Sequence, residues 1–407
     1  MSSEWRTVRV GDLGRIVTGK TPRTTIKENF GGKIPFLTPS DDMSAKYVRK
    51  TKRTLSEQGV AEVAGKVLPA NSIAVSCIGS NLGKVTITTT ETVTNQQINS
   101  IIPFESYYDT DFVYYAIKIL GERLNFLSKT STAVPIINKT QFSNETIRVP
   151  PLPIQKAISG TLACLDAKIE INNRITANLE QQAQAIFKSW FVDFEPFHDG
   201  EFVDSVIGPI PKGWKACAVT DVIDVNPKRK LDKGTSAKYL SMANVSTSGP
   251  RVLGWEQRNF TSGTCFMNGD VLLARITPSL EHGKTAFVDF LADQEVGWGS
   301  TEFIVMRSRE PLPLEYTYCL AKHEPFREHM IKSMTGTSGR QRAQVDALKH
   351  YFLAIAPKDV YAEFQEIVIP FFLAIRRNAT ENQVLAALRD TLLPKLMSGE
   401  IEVPVVY

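Results

Sequence analysis

The sequence predicts a mixed α/β protein made of two copies of one α/β domain, each followed by a long helix. Apolar residues recur at alternating spacings of four and three from Ile158 to Trp190, as in a helix that packs lengthwise on another helix. The same pattern returns from Phe364, and matching strand patterns precede both helices. We therefore expect an internal duplication whose two long helices pack on each other as a coiled coil; if the helices run antiparallel, their central polar interruptions face one another.

Asparagines interrupt the apolar pattern at matching places in the two helices, Asn172 and Asn378. A buried asparagine in a coiled coil lowers stability but fixes the register, so we predict that these two amides pair. Pro370 should kink or break the second helix near Ile369. The predicted helix–helix seam comprises Ile158, Leu162, Leu165, Ile169, Asn172, Leu179, Ile186, Phe364, Val368, Phe371, Ile375, Asn378, Leu385 and Leu392.

The strand patterns of the two copies match segment by segment, and each copy ends in a helix-like stretch. The matched segments are "EWRTVRVGDL" (4–13) with "GWKACAVTDV" (213–222), "IPFLTPSD" (34–41) with "AKYLSMAN" (237–244), "NSIAVSCIGSNLGKVTI" (71–87) with "GDVLLARITPSLEHGKTAFV" (269–288), "TNQQINSII" (94–102) with "STEFIVMR" (300–307), and 109–126 with 314–331. We expect a first domain over 1–150, a first long helix over 151–197, a second domain over 198–352, and a second long helix with a C-terminal tail over 353–407.

Composition sets broad limits on function. A net charge of +4 and a pI near 8.6 are only mildly basic, so charge alone does not identify a nucleic-acid partner. The five cysteines are scattered and form no CxxC pair, which favours reduced thiols in a cytoplasm over a disulfide framework or a zinc site. No apolar run is long enough to span a bilayer, and "MSSEWRTVRV" lacks the apolar core of a signal peptide. We expect a cytoplasmic protein.

Two stretches imitate a phosphate-binding loop, "GSNLGKV" (79–85) and "SLEHGKT" (279–285). Neither fits G-x-x-x-x-G-K-[ST], because the first is one residue short and the second has Pro278 where the leading glycine belongs. Their equivalent places in the two copies indicate a shared hairpin loop instead. The histidines form no HExxH pair, and neither a nucleophile elbow nor the NPPY or DPPY motif of adenine methyltransferases is present. We predict no catalytic residue, metal site or cofactor in this chain.

Several motifs in a fixed order then identify a family. They are "VTGKTP" and "GGKIPFLTPSD" in the first domain, "VPPLPIQKAI" and "FKSWFVDFEPF" at the two ends of the first helix, "IGPIPKGW" at the start of the second domain, and "LRDTLLPKLMSGEI" in the second helix. With them the chain resembles, nearly end to end, the specificity (S) subunits of bacterial type I restriction-modification systems.

The resemblance implies a non-catalytic, DNA-binding role in a bacterial defence system. Each α/β domain would be a target recognition domain that reads one half of a bipartite double-stranded DNA sequence. The two helices would pack antiparallel, with an internal pseudo-two-fold symmetry, and would separate the domains as a spacer. They would also form the docking platform for two modification subunits, which bind S-adenosylmethionine and methylate adenine N6. Restriction subunits, which use ATP and Mg²⁺, would translocate and cut unmodified DNA. Catalysis and cofactors would thus lie in the partner subunits.

Residues that contact DNA are expected in polar loops, because arginine and lysine read guanine, asparagine and glutamine read adenine, and hydroxyl groups also reach phosphates. Each of them alone could equally be a solvated loop residue. The candidates in the first domain are Lys20, Thr21, Arg23, Ser40, Asp41, Ser80, Asn81 and Lys84. Those in the second are Asn244, Arg275, Thr277, Ser279, His282, Lys284, Arg340, Gln341 and Arg342, together with the basic run Lys228, Arg229 and Lys230.

Arg275 stands out because it directly follows a strand pattern and precedes a Thr-Pro-Ser loop. Arg340 and Arg342 stand out because they flank Gln341 in "GRQR" (339–342). The equivalent stretch of the first domain, "TAVPIIN" (132–138), is apolar, so the two domains are expected to differ here.

Apolar residues of the first helix leave two alternatives open. Trp190, Phe191 and Phe194 could stack on bases, but packing at the helix end is the favoured interpretation. Ile175 and Phe187 lie off the seam, where they could dock a modification subunit or be buried within this chain.

Two other classes of protein compete with the DNA-recognition subunit. A pure assembly scaffold would use the coiled coil as its function, and only a steep fall of DNA affinity with salt would separate it from a DNA-binding protein. A nuclease or NTPase is disfavoured by the missing motifs.

Overall fold

The computed structural model describes residues 5–128, 136–337 and 339–404. Contacts divide the chain into two units, Met1–Ile169 with Val384–Tyr407 and Glu170–Gln383. Both long helices are therefore divided between the two units.

The first unit contains eleven strands, three short or medium helices and the start of a long helix. In chain order its elements are β1 Arg6–Arg9, β2 Gly14–Thr18, β3 Phe30–Leu37, β4 Tyr47–Val48, β5 Arg53–Leu55, α1 Glu57–Glu62, β6 Val67–Leu68, β7 Ile73–Ser76, β8 Val85–Thr88, β9 Thr92–Thr94, β10 Ile98–Pro103, α2 Thr110–Ser128, α3 Lys139–Asn144, β11 Thr146–Val149 and the long helix α4 Leu152–Phe191.

The second unit repeats this order with small changes. Its elements are β12 Phe202–Val203, β13 Ile210–Pro211, β14 Lys215–Ala218, α5 Val219–Val222, β15 Ile223–Val225, β16 Ser236–Leu240, β17 Glu256–Asn259, β18 Thr264–Phe266, β19 Val271–Ala274, β20 Thr285–Phe287, β21 Gly297–Gly299, β22 Phe303–Ser308, α6 Leu314–Lys322, α7 Glu324–Lys332, β23 Phe352–Ile355 and the long helix α8 Lys358–Ser398.

The sheets have the same strand order in the two units. The first unit has β2-β10-β7-β8-β4, β5-β3-β9-β6 and the pair β1-β11, and the second has β15-β22-β19-β20, β17-β16-β21-β18 and the pair β14-β23. Only β4 and the hairpin β12-β13 lack a counterpart. Identical connections and pairings over ten strands confirm the internal duplication.

Each unit has its own core, in which part of α4 packs with part of α8. In the first unit, Ile158 and Leu162 of α4 share a core with Leu393 and Leu396 of α8. In the second unit, the ring of Phe191 near the end of α4 lies 5.1 Å from that of Phe364 near the start of α8. The start of one helix thus meets the end of the other within each unit, so the helices run antiparallel, as predicted.

Buried tyrosines attach the domains to α4. In the first unit the Tyr115 hydroxyl donates to Asp166 at 2.5 Å, and Arg389 of α8 donates to the other oxygen of that carboxylate at 2.8 Å. In the second unit the Tyr318 hydroxyl donates to Glu180. Burial and the neighbouring carboxylates raise the pKa of both phenols well above the usual range, so they stay protonated as donors.

The register of the long helices differs from the predicted one by one helical turn. Asn172 Nδ2 donates to Asn382 Oδ1 at 2.9 Å and to Glu381 Oε2 at 2.8 Å, so the predicted pair with Asn378 is wrong. Asn382 also donates to Asn173 at 2.8 Å. In an antiparallel pair, matched places of the repeat face one another only at the pseudo-two-fold axis, and Asn172 and Asn378 lie off that axis.

The helices also differ from the predicted ones in where they are interrupted. Pro370 does not break α8, because it lies on the exposed side, where water can satisfy the carbonyl that loses its donor. The stretch 314–331, predicted as one helix, is divided at His323 into α6 and α7, and Pro325 lies in the first turn of α7, where its missing N–H costs nothing. The second long helix begins at Lys358, because 352–355 form β23.

Candidate nucleic-acid interface

The two loops that imitate phosphate loops are hairpin loops, as predicted. They connect β7 to β8 and β19 to β20, which pair antiparallel. Each loop needs its glycine for a left-handed turn, with φ of 82° at Gly83 and 71° at Gly283. A Cβ at Gly83 would also lie only 2.1 Å from the Gly121 carbonyl oxygen. Backbone geometry therefore explains the glycine near the end of each loop.

Beside the hairpin loop of the second unit, three chain segments form what we call the three-segment platform: 275–277, 300–302, and the described residues 335–337 with 339–343. Arg275 N donates to the Glu302 carbonyl at 2.9 Å, and Ala343 N donates to the Arg275 carbonyl at 2.7 Å. Thr277 N donates to the Gln341 carbonyl at 3.0 Å, and Ile276 bridges to Arg342. Backbone hydrogen bonds thus hold Arg275, Gln341 and Arg342 side by side.

The first unit builds the same platform from residues 77–79, 95–97 and 136–137. Cys77 N donates to the Gln97 carbonyl at 2.9 Å, and Ile137 N donates to the Cys77 carbonyl at 3.0 Å. Ile78 bridges to Ile136, as Ile276 does to Arg342. The hydrogen bonds make Cys77, Gln97 and Ile136 the counterparts of Arg275, Glu302 and Arg342. Of the apolar stretch 132–138, residues 132–135 lie outside the described part of the chain.

The side chains on the second platform are mostly cationic or polar. Arg342 is half exposed and binds the Glu302 carboxylate through Nε at 2.9 Å and Nη2 at 2.6 Å, which raises the pKa of Arg342 further. Arg275 is half-buried, and its Nε has no hydrogen-bond partner among the described residues. Arg340 is exposed. The platform therefore presents a cationic edge whose N–H groups can donate hydrogen bonds to a base edge or to a phosphate.

The remaining candidates of the second unit surround this platform or lie in the next loop. His282 is exposed, Ser279 is half-buried, and Lys284 Nζ donates to the Met242 carbonyl at 2.7 Å beside Asn244. Arg229 is different, because its Nη2 binds the fully buried carboxylate of Asp270 at 3.1 Å. Arg229 therefore provides the counter-charge for a buried carboxylate. Of the run 228–230, only Lys228 and Lys230 remain available to a ligand.

Candidates of the first unit cluster on the loops around its platform. Thr21 Oγ1 donates to Gln96 Oε1 at 2.8 Å, and Asn81 Nδ2 donates to the Pro39 carbonyl at 2.7 Å. Ser80, Lys84, Lys20 and Ser40 are exposed.

Two further candidates in the first unit, Arg23 and Asp41, also have partners within the chain. Arg23 pairs with Glu62 at 3.1 Å. Asp41 is only 6% exposed and accepts hydrogen bonds from Thr38 N and Thr38 Oγ1, both at 2.8 Å, and from Lys52 N at 2.6 Å. The Asp41 carboxylate therefore shapes its loop.

Sequence reasoning missed the turn that completes each platform. Asn95, Gln96 and Gln97 form it in the first unit, where Asn95 Nδ2 donates to Gln97 Oε1 at 3.0 Å. Ser300 to Glu302 form it in the second. The two turns belong to segments that were matched as strands, "TNQQINSII" and "STEFIVMR", and the amide run in the first of them was an available signal.

The aromatic residues at the end of α4 are packing residues, as the favoured interpretation held. Phe191 is 5% exposed, and its ring lies 5.1 Å from Tyr316 and 5.3 Å from Tyr361. Phe187 is 1% exposed within the same core, which decides for burial over docking at that position. Ile175 remains 44% exposed.

No residue of the predicted helix–helix seam is exposed. Ile158, Leu162, Asn172, Phe364, Val368, Ile375 and Asn378 are buried, and the other seam residues are half-buried.

Features of other functional classes are missing from the described residues. They contain no group of histidine, cysteine, aspartate and glutamate side chains that could hold a metal ion. No helix among them combines the length and apolar character that a bilayer crossing needs. The five cysteines are free thiols.

Comparison with solved structures places the fold in one class. The crystal structure of the type I restriction-modification S subunit from M. genitalium matches the chain with a TM-score of 0.54 and 16% identity, over 100% of this chain and 98% of that one. The duplicated α/β domains on two long helices are therefore an S-subunit fold.

Sequence comparison gives the family. Residues 2–181 match the family model described as the type I restriction modification DNA specificity domain. The MjaIX specificity subunit of Methanocaldococcus jannaschii is 26% identical over 98% of this chain and 94% of its own length. The HindI specificity subunit of Haemophilus influenzae is 35% identical over 42% of this chain and 38% of its own. Over nearly its whole length the chain is therefore similar to the specificity subunits of type I restriction-modification systems, a family that recognises DNA sequence and leaves catalysis to partner subunits.

Proposed function

We propose that this chain reads a bipartite DNA site, one half with each unit. The observation that carries the proposal is the three-segment platform, which both units build with the same backbone hydrogen bonds but with different side chains. Equal geometry suits two domains that approach the same duplex in the same way, and unlike side chains suit two different half-sites.

The DNA contacts would come from the loops on and around the two platforms. Arginine, glutamine and asparagine side chains would contact base edges, and lysine and hydroxyl side chains would contact phosphates. The proposed contacts are Lys20, Thr21, Arg23, Ser40, Asp41, Ser80, Asn81 and Lys84 in the first unit, with Asn244, Arg275, Thr277, Ser279, His282, Lys284, Arg340, Gln341 and Arg342 in the second. Asp41 would act through the shape of its loop.

The long helices would serve as spacer and as docking platform for two adenine-N6 methyltransferase subunits. Large apolar residues remain exposed along both helices, among them Ile171 at 51%, Ile175 at 44% and Leu373 at 59%, and such side chains are typical of interaction surfaces. The methyltransferase subunits would hold S-adenosylmethionine, and restriction subunits would hold ATP and Mg²⁺. The complex would act on double-stranded DNA in the cytoplasm.

An adenine methylation map of the host genome tests this proposal. With the gene intact, one split motif should be methylated, and deletion of the gene should abolish methylation of that motif. Exchange of residues 1–150 for those of another family member should then change one half of the motif and leave the other half unchanged. A map that is unchanged on deletion, with the methyltransferase subunits expressed, would contradict the proposal and favour a scaffold without DNA specificity.

Arg275→Ala should relax one half-site only. Its guanidinium lies on the second platform with an unpartnered Nε, and a lost arginine–base contact removes about 1–3 kcal/mol of discrimination. The relative methylation of single-base variants of the motif measures this. Arg258→Ala, an exposed arginine of the same unit, is the control and should leave the motif unchanged. Uniform loss of methylation over all sites would make Arg275 a phosphate contact instead.

A further inference from the structure

An ion pair between Glu302 and Arg342 lies at the solvent-accessible edge of the three-segment platform. Glu302 is 20% exposed and Arg342 46% exposed in their side chains. An ion pair so close to solvent contributes little to folding stability. The structural effect of the pair is to fix the guanidinium in one orientation at the exposed edge of the platform.

The pair leaves the outer edge of the guanidinium available. Glu302 occupies Nε and one N–H of Nη2. Among the described residues, none accepts a hydrogen bond from Nη1, so two parallel N–H donors of Nη1 and Nη2 remain for a ligand. Such a fork matches the O6 and N7 acceptors of guanine in the major groove.

Glu302 also organises the neighbouring arginine. Its carbonyl accepts the backbone N–H of Arg275 at 2.9 Å, and Ile276, the next residue, bridges to Arg342. One residue therefore sets the position of two arginines, through its carboxylate for Arg342 and through its backbone for Arg275. A side chain already held in its binding geometry loses less conformational entropy when it binds.

The equivalent place in the first unit has the opposite chemistry. Ile136, the counterpart of Arg342, is an apolar side chain that is 64% exposed, and Gln97 stands in place of Glu302. Neither a guanidinium nor a carboxylate that could hold one is present there. The backbone alone thus does not require the ion pair, which is particular to the second unit.

We propose that Arg342 reads a guanine in the half-site of the second unit, and that Glu302 is the positioning residue that orients it. The inference rests on the proposed function and deepens it by naming the base and the side chains at one position. It also assigns Glu302 a role in specificity, although a carboxylate cannot itself read guanine O6 or N7.

The test maps adenine methylation in cells that carry the complete system with Arg342→Lys or Glu302→Gln in the chromosomal gene. Lysine keeps the positive charge but lacks the fork, and glutamine keeps the shape of glutamate but weakens the hold on Arg342. At one guanine of the second unit's half-site, both variants should lower the preference for guanine over other bases. The expected loss for Arg342→Lys is about 5- to 150-fold, the range of one bidentate arginine–guanine contact.

Controls separate the possible failures. Glu256→Gln breaks an exposed ion pair with Arg258 in the same unit and should leave the motif unchanged. If no split motif depends on the gene, the proposed function itself fails. If a motif depends on it but keeps its guanine preference in both variants, or if Arg342→Lys lowers methylation equally at all sites, the guanine contact is overturned. Retained guanine preference in Glu302→Gln alone would remove the positioning role.

Discussion

Phe191→Ala should destabilise the second unit by about 3–5 kcal/mol, as expected for a large aromatic residue removed from a core. Phe191 is 5% exposed, and its ring contacts aromatic rings from α4, α6 and α8. The substitution leaves a cavity where those three elements meet, and rigid neighbouring rings cannot collapse into it.

Tryptophan fluorescence during urea unfolding of the full chain is a suitable measurement. Trp190, Trp214, Trp255 and Trp298 all lie in the second unit, so the signal reports mainly on that unit. Leu253→Ala is the control, because Leu253 lies in the same unit, is 70% exposed, and its truncation should change stability by less than about 0.5 kcal/mol. A base-stacking role would instead require weakened DNA binding by Phe191→Ala with unchanged stability.

Asp270→Ala should be comparably damaging, at about 3–5 kcal/mol, because it breaks a buried charge network. The Asp270 side chain is fully buried, and it accepts hydrogen bonds from Arg229 at 3.1 Å, Arg307 at 2.7 Å and the Met267 backbone N–H at 2.8 Å. Removal of the carboxylate leaves two guanidinium groups, 17% and 30% exposed, without their counter-charge.

The same urea titration measures the decrease in the free energy of unfolding, and Asp224→Ala is the matched control. Asp224 also pairs with an arginine of the second unit, Arg309, but both side chains are more than 40% exposed. The control should therefore change stability by at most about 1 kcal/mol. A loss below that value for Asp270→Ala would mean that water or other groups solvate the two arginines in the folded state.

The repeat was visible in the sequence because it depends on local patterns. Heptad spacing in the long helices and alternating strands in the domains reflect which side of each element is buried, and each can be read within a short window. The hairpin loops could also be placed, because glycine at Gly83 and Gly283 marks left-handed turns.

Contacts between distant residues could not be predicted in the same way. The register of the long helices depends on how two antiparallel surfaces fit together, which is why Asn172 meets Asn382 instead of Asn378. Likewise, Arg229 and Arg342 were both candidates in the sequence, but folding brings an aspartate to the first and a glutamate to the second. Glu302 was overlooked because a glutamate in a turn is ordinary until its distant partner is known.

The platform also has a consequence for how specificity can change over generations. Its geometry is set by main-chain hydrogen bonds, which Cys77 and Arg275, or Ile136 and Arg342, satisfy equally well. Under the proposed function, mutations at these positions would exchange one reading side chain for another while the scaffold beneath persists. A lineage could acquire a new target sequence by point mutation in one unit while inheriting the other half of its target intact.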